Sequence, residues 1–115
     1  MTIGQGGRAV VEIREKELDI TKNIRAIEWL KTELLGAVTL LFRAILKGSE
    51  EHILEALAEA VLAVYLLARR LGIGFARLDA KVKNIVHQSI IEEHELEKWY
   101  GDLSAFADHL DGSKR

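Results

Sequence analysis

The sequence predicts an all-α fold, an antiparallel bundle of about four helices. Its 115 residues include 17 Leu and 13 Ala but no Pro, and apolar residues recur at spacings of three and four. Leu and Ala are strong helix formers, and that spacing brings apolar side chains onto one helix face. With 49% apolar and 30% charged residues, the composition is typical of a folded domain with a solvated surface.

Composition also excludes several functional classes. A chain without Cys has no disulfide, thiolate metal site or cysteine nucleophile. The 16 basic and 18 acidic residues leave a net charge of −2, without the basic excess of a nucleic-acid binder. The longest uncharged apolar runs, 34–42 and 60–68, are too short for a membrane helix, which needs about 20 residues. We therefore expect a cytoplasmic protein with neither a nucleic-acid nor a membrane partner.

The first helix is predicted to begin at Thr21, after a tail or extended arm over residues 1–20 in which residues 10–13 are a short extended segment. Gly48 is a typical residue to end this helix, and Lys47 in its last turn suits the helix dipole. One apolar stripe runs along it at spacings of three and four: Ile24, Ile27, Leu30, Leu34, Val38, Leu41 and Ile45.

The second helix is predicted to begin at Ser49, a hydroxyl cap followed by two acidic residues, and to end at Leu71 before Gly72. The very short connection to the first helix implies an antiparallel hairpin. Apolar residues are nearly continuous in this helix, so we expect it to be the most buried element. Because they cover more than one side of it, we also expect a homo-oligomer.

A third helix is predicted over residues 75–92, after the break at Gly72 and Gly74. A fourth helical segment follows, with Gly101 as a possible kink, and residues 112–115 are expected to fray. The helical domain thus spans 21–111. On the third helix we expect Phe75, Leu78, Val82, Ile85, Val86 and Ile90 to face inward. The fourth segment carries a second apolar set, interpreted as core or interface: Leu96, Trp99, Tyr100, Leu103, Phe106 and Leu110.

Carboxylates within the apolar helices are the first candidate site residues. Glu33 lies in the first helix, while Glu55 and Glu59, four residues apart, share one face of the second. Facing helices that offer Glu side chains can hold a divalent cation, and an all-oxygen ligand set suits Mg²⁺ or Mn²⁺. The alternative is that these carboxylates are solvated or paired with Lys31, Arg43 or Arg69.

Lys81 and Asn84 are the second candidate pair, because side chains three residues apart on a helix can grip phosphate oxygens together. Solvated surface residues are the more common explanation of such a pair. The four His residues form no zinc motif, and the early glycines lack the Lys-Ser/Thr ending of a P-loop. No catalytic residue is therefore assigned.

From Ile27 to Leu110 the chain resembles the MazG-like proteins, relatives of the all-α nucleoside triphosphate pyrophosphatases. Three blocks carry the resemblance: IEWLKTELLGAVTLLFRAILKGSEE (27–51), YLLARRLGIGFARLD (65–79) and EEHELEKWYGDLSAF (92–106). The resemblance implies a dimer or tetramer that binds Mg²⁺ through ExxE and ExxD motifs on two successive helices. It also implies hydrolysis of a nucleoside triphosphate to the monophosphate and pyrophosphate.

Only part of that acidic set is present in this chain. Glu33 matches the first acid of ExxE and Glu59 the Asp of ExxD, but Gly36 and Ala56 occupy the other two positions, and Glu55 is adjacent to the latter. Lys81 and Asn84 fall where the family places residues that contact phosphate. Two functions follow as hypotheses: a degenerate relative that binds a nucleotide or a protein partner, or an active Mg²⁺-dependent pyrophosphatase on Glu33, Glu55 and Glu59.

Overall fold

The structure, a computed structural model, describes residues 3–112, with side chains from Ala9 onward, and this part of the chain contains five helices and no strand. The all-α prediction is confirmed. The chain forms two compact units with a boundary after Gly72, where one domain was expected over 21–111. The first unit is a hairpin of two helices, and the second contains the other three. The helices are α1 (Ile3–Lys47), α2 (Glu50–Arg70), α3 (Phe75–Ile91), α4 (Glu95–Tyr100) and α5 (Asp102–Gly112).

The arm expected before Thr21 is helical. α1 begins at Ile3 and passes through residues 10–13, so the extended conformation predicted for them is wrong. With no Pro in the chain, nothing stops the helix from continuing backwards. Residues 9–22 are all exposed, because α2 ends opposite Asn23, whose Nδ2 donates to the Arg70 carbonyl at 3.1 Å. α1 continues about 30 Å beyond this point, at 1.5 Å per residue. Residues 1–2 and 113–115 of the two predicted tails lie outside the described residues.

The turn between α1 and α2 follows the sequence signals closely. Gly48 has a φ of 69°, a left-handed conformation that glycine adopts without the Cβ penalty of other residues. Ser49 caps α2, and its Oγ accepts a hydrogen bond from the His52 backbone N–H at 3.4 Å. The connection between the two helices is therefore very short, and they form an antiparallel hairpin, as predicted.

Small side chains form the seam where α1 and α2 meet. Its buried residues are Leu30, Ala37 and Ala44 on α1 and Ala56 and Ala63 on α2. Ala68 is also buried, but it lies about 140° around α2 from Ala63 and is not part of the seam. A spacing of seven residues keeps one side of each helix towards its neighbour, and alanine allows the backbones to approach closely. The seam is therefore narrow, and it covers only one side of each helix.

This narrow seam corrects two expectations about the core. Of the predicted α1 stripe, Leu30 is buried and Ile27, Leu34 and Leu41 are half-buried, but Ile24, Val38 and Ile45 are exposed. On α2, the buried residues are alanines, and the large apolar side chains that led us to expect deep burial are exposed: Leu54, Leu57, Val61, Leu62 and Val64. Residues at spacings of three and four thus lie on two faces of each helix, one towards the other helix and one exposed. The sequence pattern alone did not separate these two faces.

In the second unit, α3 packs against α5, and Lys83 Nζ forms an ion pair with Asp111 at 3.2 Å. Val86 is buried, whereas Phe75 and Ile85 of the predicted inward set are exposed. Four apolar residues of the last segment are also exposed and so lie outside a core: Leu96, Trp99, Tyr100 and Phe106. Gly101 does more than kink the last segment. With a φ of 68° it ends α4, and α5 begins at the next residue. In the described part of the chain, no helix combines the length and apolar character needed to span a membrane.

Candidate functional site

A groove of about 360 Å³ lies on one side of the hairpin, close to the α1–α2 turn. Ala44 and Ala56, both buried in the seam, form its floor. Charged side chains of the two helices form its walls. The complete lining is Leu40, Arg43, Ala44, Lys47, His52, Glu55, Ala56 and Glu59.

The walls carry opposite charges, one sign on each helix. Arg43 and Lys47 are four residues apart on α1, and Glu55 and Glu59 are four residues apart on α2, so each pair projects from one helix face. Among the described residues, none of these four side chains forms an ion pair within 4.0 Å. The groove therefore presents two cations and two carboxylates to a ligand.

His52 stands at the end of the groove nearest the turn. Its Nδ1 lies 3.0 Å from Ser49 Oγ, and its backbone N–H donates to the same oxygen. The imidazole is thus held against the cap of α2. This contact assigns His52 a role in forming the turn.

The predicted carboxylates are only partly brought together. Glu55 and Glu59 line the groove, but Glu33 does not. Glu33 is exposed on α1, seven residues before Leu40, which corresponds to about 10 Å along the helix axis. Across the described residues, no group of three or more His, Asp or Glu side chains is placed to hold a metal ion. One copy of the chain does not bring Glu33 together with Glu55 and Glu59. The metal site on these three residues stays a prediction.

The alternative pairing of these carboxylates is also not what the described side chains form. Lys31 bonds to Glu28 at 2.9 Å, one turn away on the same helix. Glu33 and Glu59 both face solvent. Of the two explanations weighed for them, solvation describes their state in the single chain.

The two positions that lack the family's acids differ sharply in their surroundings. A Cβ added to Gly36 would meet no atom within 4 Å, so a side chain fits there. Ala56 is only 3% exposed and packs in the alanine seam, where an ionised carboxylate would lose its hydration. Position 36 therefore has room for an acidic side chain, whereas position 56 is part of the core.

Lys81 and Asn84 lie on α3, in the second unit, and both are exposed. Their spacing of three residues places them on one helix face, as expected. Their role in phosphate binding stays a prediction. Lys83 beside them is tied to Asp111 and is less exposed than either partner of the Lys31 pair.

Two features of the candidate sites were missed by sequence reasoning. Arg43 and Lys47 were recognised only as a possible ion-pair partner and a helix-end cation, although their spacing of four residues already signals a shared face. In the second unit, Glu97 accepts hydrogen bonds from both the backbone N–H and the hydroxyl of Ser104. These bonds stabilise the carboxylate and hold the pKa of Glu97 below its ordinary value.

The fold and the groove define a class of all-α protein. In this class a helical hairpin with acidic residues on its helices is followed by a smaller helical unit. A family model described as the MazG-like family matches residues 20–103. The chain belongs to the MazG-like family. The searches of curated proteins and of solved structures found no match.

Proposed function

We propose that this chain is a degenerate MazG-like protein, one that binds a nucleotide through its phosphates without hydrolysing it and that works as a homo-oligomer. The observation that carries the proposal is the burial of Ala56 in the alanine seam, at the position of a family acid. Restoring a carboxylate there would place a charge inside the hairpin. Residue 56 therefore contributes to the packing of the hairpin and supplies no ligand for a metal ion.

The remaining groove is a poor fit for Mg²⁺ in one copy of the chain. Two carboxylates face two cations in the same groove, so the local charge is balanced before any metal binds. Mg²⁺ sites in proteins rely on carboxylates together with substrate phosphates and water, and positive side chains nearby weaken them. We accordingly assign no hydrolytic step to this groove.

Arg43 and Lys47 suit a phosphate ligand. Both can donate charge-assisted hydrogen bonds to phosphate oxygens, and neither forms an ion pair among the described residues. A volume of about 360 Å³ falls within the usual range of small-ligand sites. Lys81 and Asn84 stay the second candidate for phosphate contact, through the resemblance to the family.

Homo-oligomerisation is supported by large apolar side chains that are exposed on both helices of the hairpin. Leu35 and Phe42 of α1 and Leu54 and Val61 of α2 are 71%, 64%, 67% and 56% exposed. At about 100° per residue each pair points away from the seam, so each helix has an exposed apolar outer side. We propose that further copies of the chain cover these sides.

The test combines hydrolysis with binding. The purified protein is incubated with nucleoside triphosphates and Mg²⁺ or Mn²⁺, pyrophosphate release is measured, and nucleotide binding is followed by calorimetry. We expect binding without pyrophosphate release, and binding should weaken in Arg43→Gln but not in the control Arg25→Gln, which lies outside the groove. The proposal fails if no nucleotide binds, or if pyrophosphate is released.

The second candidate function is the active pyrophosphatase, with Mg²⁺ or Mn²⁺ as cofactor. It is favoured by Glu55 and Glu59, which lie one helical turn apart in the same groove. Pyrophosphate release that disappears in Glu59→Gln and persists in the control Glu51→Gln would establish this function. Release that Glu59→Gln leaves unchanged would point to a contaminating enzyme.

A further inference from the structure

The side of α1 that points away from α2 carries a stripe of mainly apolar residues, spaced three and four apart, across most of the helix. We call it the outer stripe; it consists of Val10, Ile13, Glu17, Ile20, Ile24, Glu28, Lys31, Leu35 and Val38. With 100° per residue, all nine lie within about 40° of Ile24 around the helix. Its six apolar members are between 36% and 71% exposed.

The first half of the outer stripe lies on the part of α1 that α2 does not reach. α2 ends opposite Asn23, and residues 9–22 are exposed on every side. A free-standing helix of about 20 residues is only marginally stable in water, and most helices owe their stability to a packed apolar face. This segment also precedes or barely overlaps the part of the chain that matches the family, residues 20–103.

Charges on the outer stripe indicate what covers it. Glu17 and Lys31 each lie seven residues from Ile24, one on either side. If two copies of α1 pair antiparallel about a two-fold axis at Ile24, Glu17 faces the partner's Lys31, and the same contact recurs at the other end. Val10 then faces the partner's Val38.

Other registers fit less well. In a parallel, in-register pair, Glu17 would face the partner's Glu17, and Lys31 the partner's Lys31, which is repulsive. A shift of the antiparallel pair by one heptad would place Glu17 against an apolar residue, either Val38 or Ile24 of the partner subunit. Only the register centred on Ile24 matches both charges, and polar residues within an apolar seam are known to select register in this way.

Lys31 is available for this contact although it already bonds to Glu28. Both side chains of that pair are more than half exposed, at 56% and 64%, and exposed pairs one turn apart contribute little. Glu28 lies at the edge of the outer stripe, where it faces the partner's Ile20 and still reaches water and Lys31. Lys31 can then bridge Glu28 and the partner's Glu17.

We propose that two copies of this chain bind each other through the outer stripe, antiparallel and centred on Ile24, so that the exposed start of α1 covers the side of the other copy's α1 that points away from α2. The contact runs about 40 Å along α1, from the rise per residue.

A charge exchange tests the register. Glu17→Lys and Lys31→Glu should each raise the dissociation constant of the dimer about tenfold, because each creates two repulsive contacts. The double variant Glu17→Lys/Lys31→Glu should restore it to within about threefold, measured by analytical ultracentrifugation. The control is Glu15→Lys, which changes the charge equally on the opposite side of α1 and should leave association unchanged.

Cysteine cross-linking gives a second, independent test, since the chain has no Cys of its own. Ile24→Cys places two thiols beside the proposed two-fold axis and should form a covalent dimer under mild oxidation. Lys22→Cys, on the far side of the helix, should form it much more slowly.

The inference rests on the proposed homo-oligomer, and the two can fail separately. A chain that is monomeric at every concentration overturns both. An oligomer that survives the single charge changes, or that cross-links equally through either cysteine, overturns the pairing of α1 and leaves the oligomer intact.

Discussion

Ala44 and Ala56, one on each helix of the hairpin, are both buried, at 5% and 3% exposure, and line the same charged groove. Their small side chains bring α1 and α2 close together and leave the longer neighbours on the groove walls. The stability of the hairpin and the shape of its candidate site therefore depend on the same two residues.

Ala56→Glu should strongly destabilise the protein, by about 3 kcal/mol or more, because it both overpacks the seam and buries a charge. Gly36→Glu introduces the same side chain in open space on α1 and is the matched control. Chemical denaturation of both variants measures the difference. Equal stabilities would show that the seam accommodates a carboxylate and would remove the main support for lost metal binding.

Gly36→Ala should stabilise the protein by about 0.5–1 kcal/mol. Gly36 lies in the interior of α1, where glycine is less favourable than alanine, and an added Cβ meets no neighbour within 4 Å. Thermal unfolding should show a higher Tm. A decrease would mean that another molecule, such as a further copy of the chain, packs closely against this position.

Gly101→Ala should destabilise the second unit by about 1–2 kcal/mol. Gly101 joins α4 to α5 with a φ of 68°, and a Cβ in this left-handed conformation is strained even though the space around it is open. Gly74→Ala is the control, because Gly74 has a φ of −68°. Hydrogen exchange at the start of α5 should increase in the first variant only.

Ser104→Ala should move the pKa of Glu97 towards its ordinary value, since the Ser104 hydroxyl supplies the largest of the hydrogen bonds that lower it, while the backbone N–H of residue 104 remains. A folded-state pKa below the unfolded value means that the contact stabilises the fold when Glu97 is ionised. That contribution is present above the unfolded pKa and is lost as the pH falls through the folded pKa. An NMR titration of the Glu97 carboxyl group measures the shift. An unchanged pKa in the variant would show that the Ser104 hydroxyl is not the main cause of the shift.

Lys47→Gln should weaken nucleotide binding about tenfold if Lys47 contacts phosphate, the usual effect of removing one charge-assisted hydrogen bond. Lys22→Gln, an equal loss of charge on the part of α1 beyond α2, should have no effect. Calorimetry at a fixed salt concentration measures both. Equal losses in the two variants would show that net charge alone governs binding.

The sequence predicted the helices and their ends well, because these depend on local chemistry. Helix-forming residues, the Ser49 cap and Gly48 after α1 act within one turn of the chain, so α2 and α3 were placed to within a residue or so. The arm before Thr21 was the exception. Three glycines suggested a loop, but no residue there stops a helix that is already formed downstream.

Which face of each helix is buried was decided only by tertiary structure. Ile24 and Leu30 belong to the same three-and-four pattern, yet only Leu30 meets α2. Glu33 and Glu59 likewise match the family's ExxE and ExxD motifs in sequence, but Glu59 lines the groove and Glu33 does not. The spacing of residues along the chain determines which side chains share a helix face. Which of those faces contacts the other helix depends on how the two helices are rotated and shifted against each other. In this protein the small size of Ala37, Ala44, Ala56 and Ala63 sets that arrangement, because close packing of the two backbones is possible only along them.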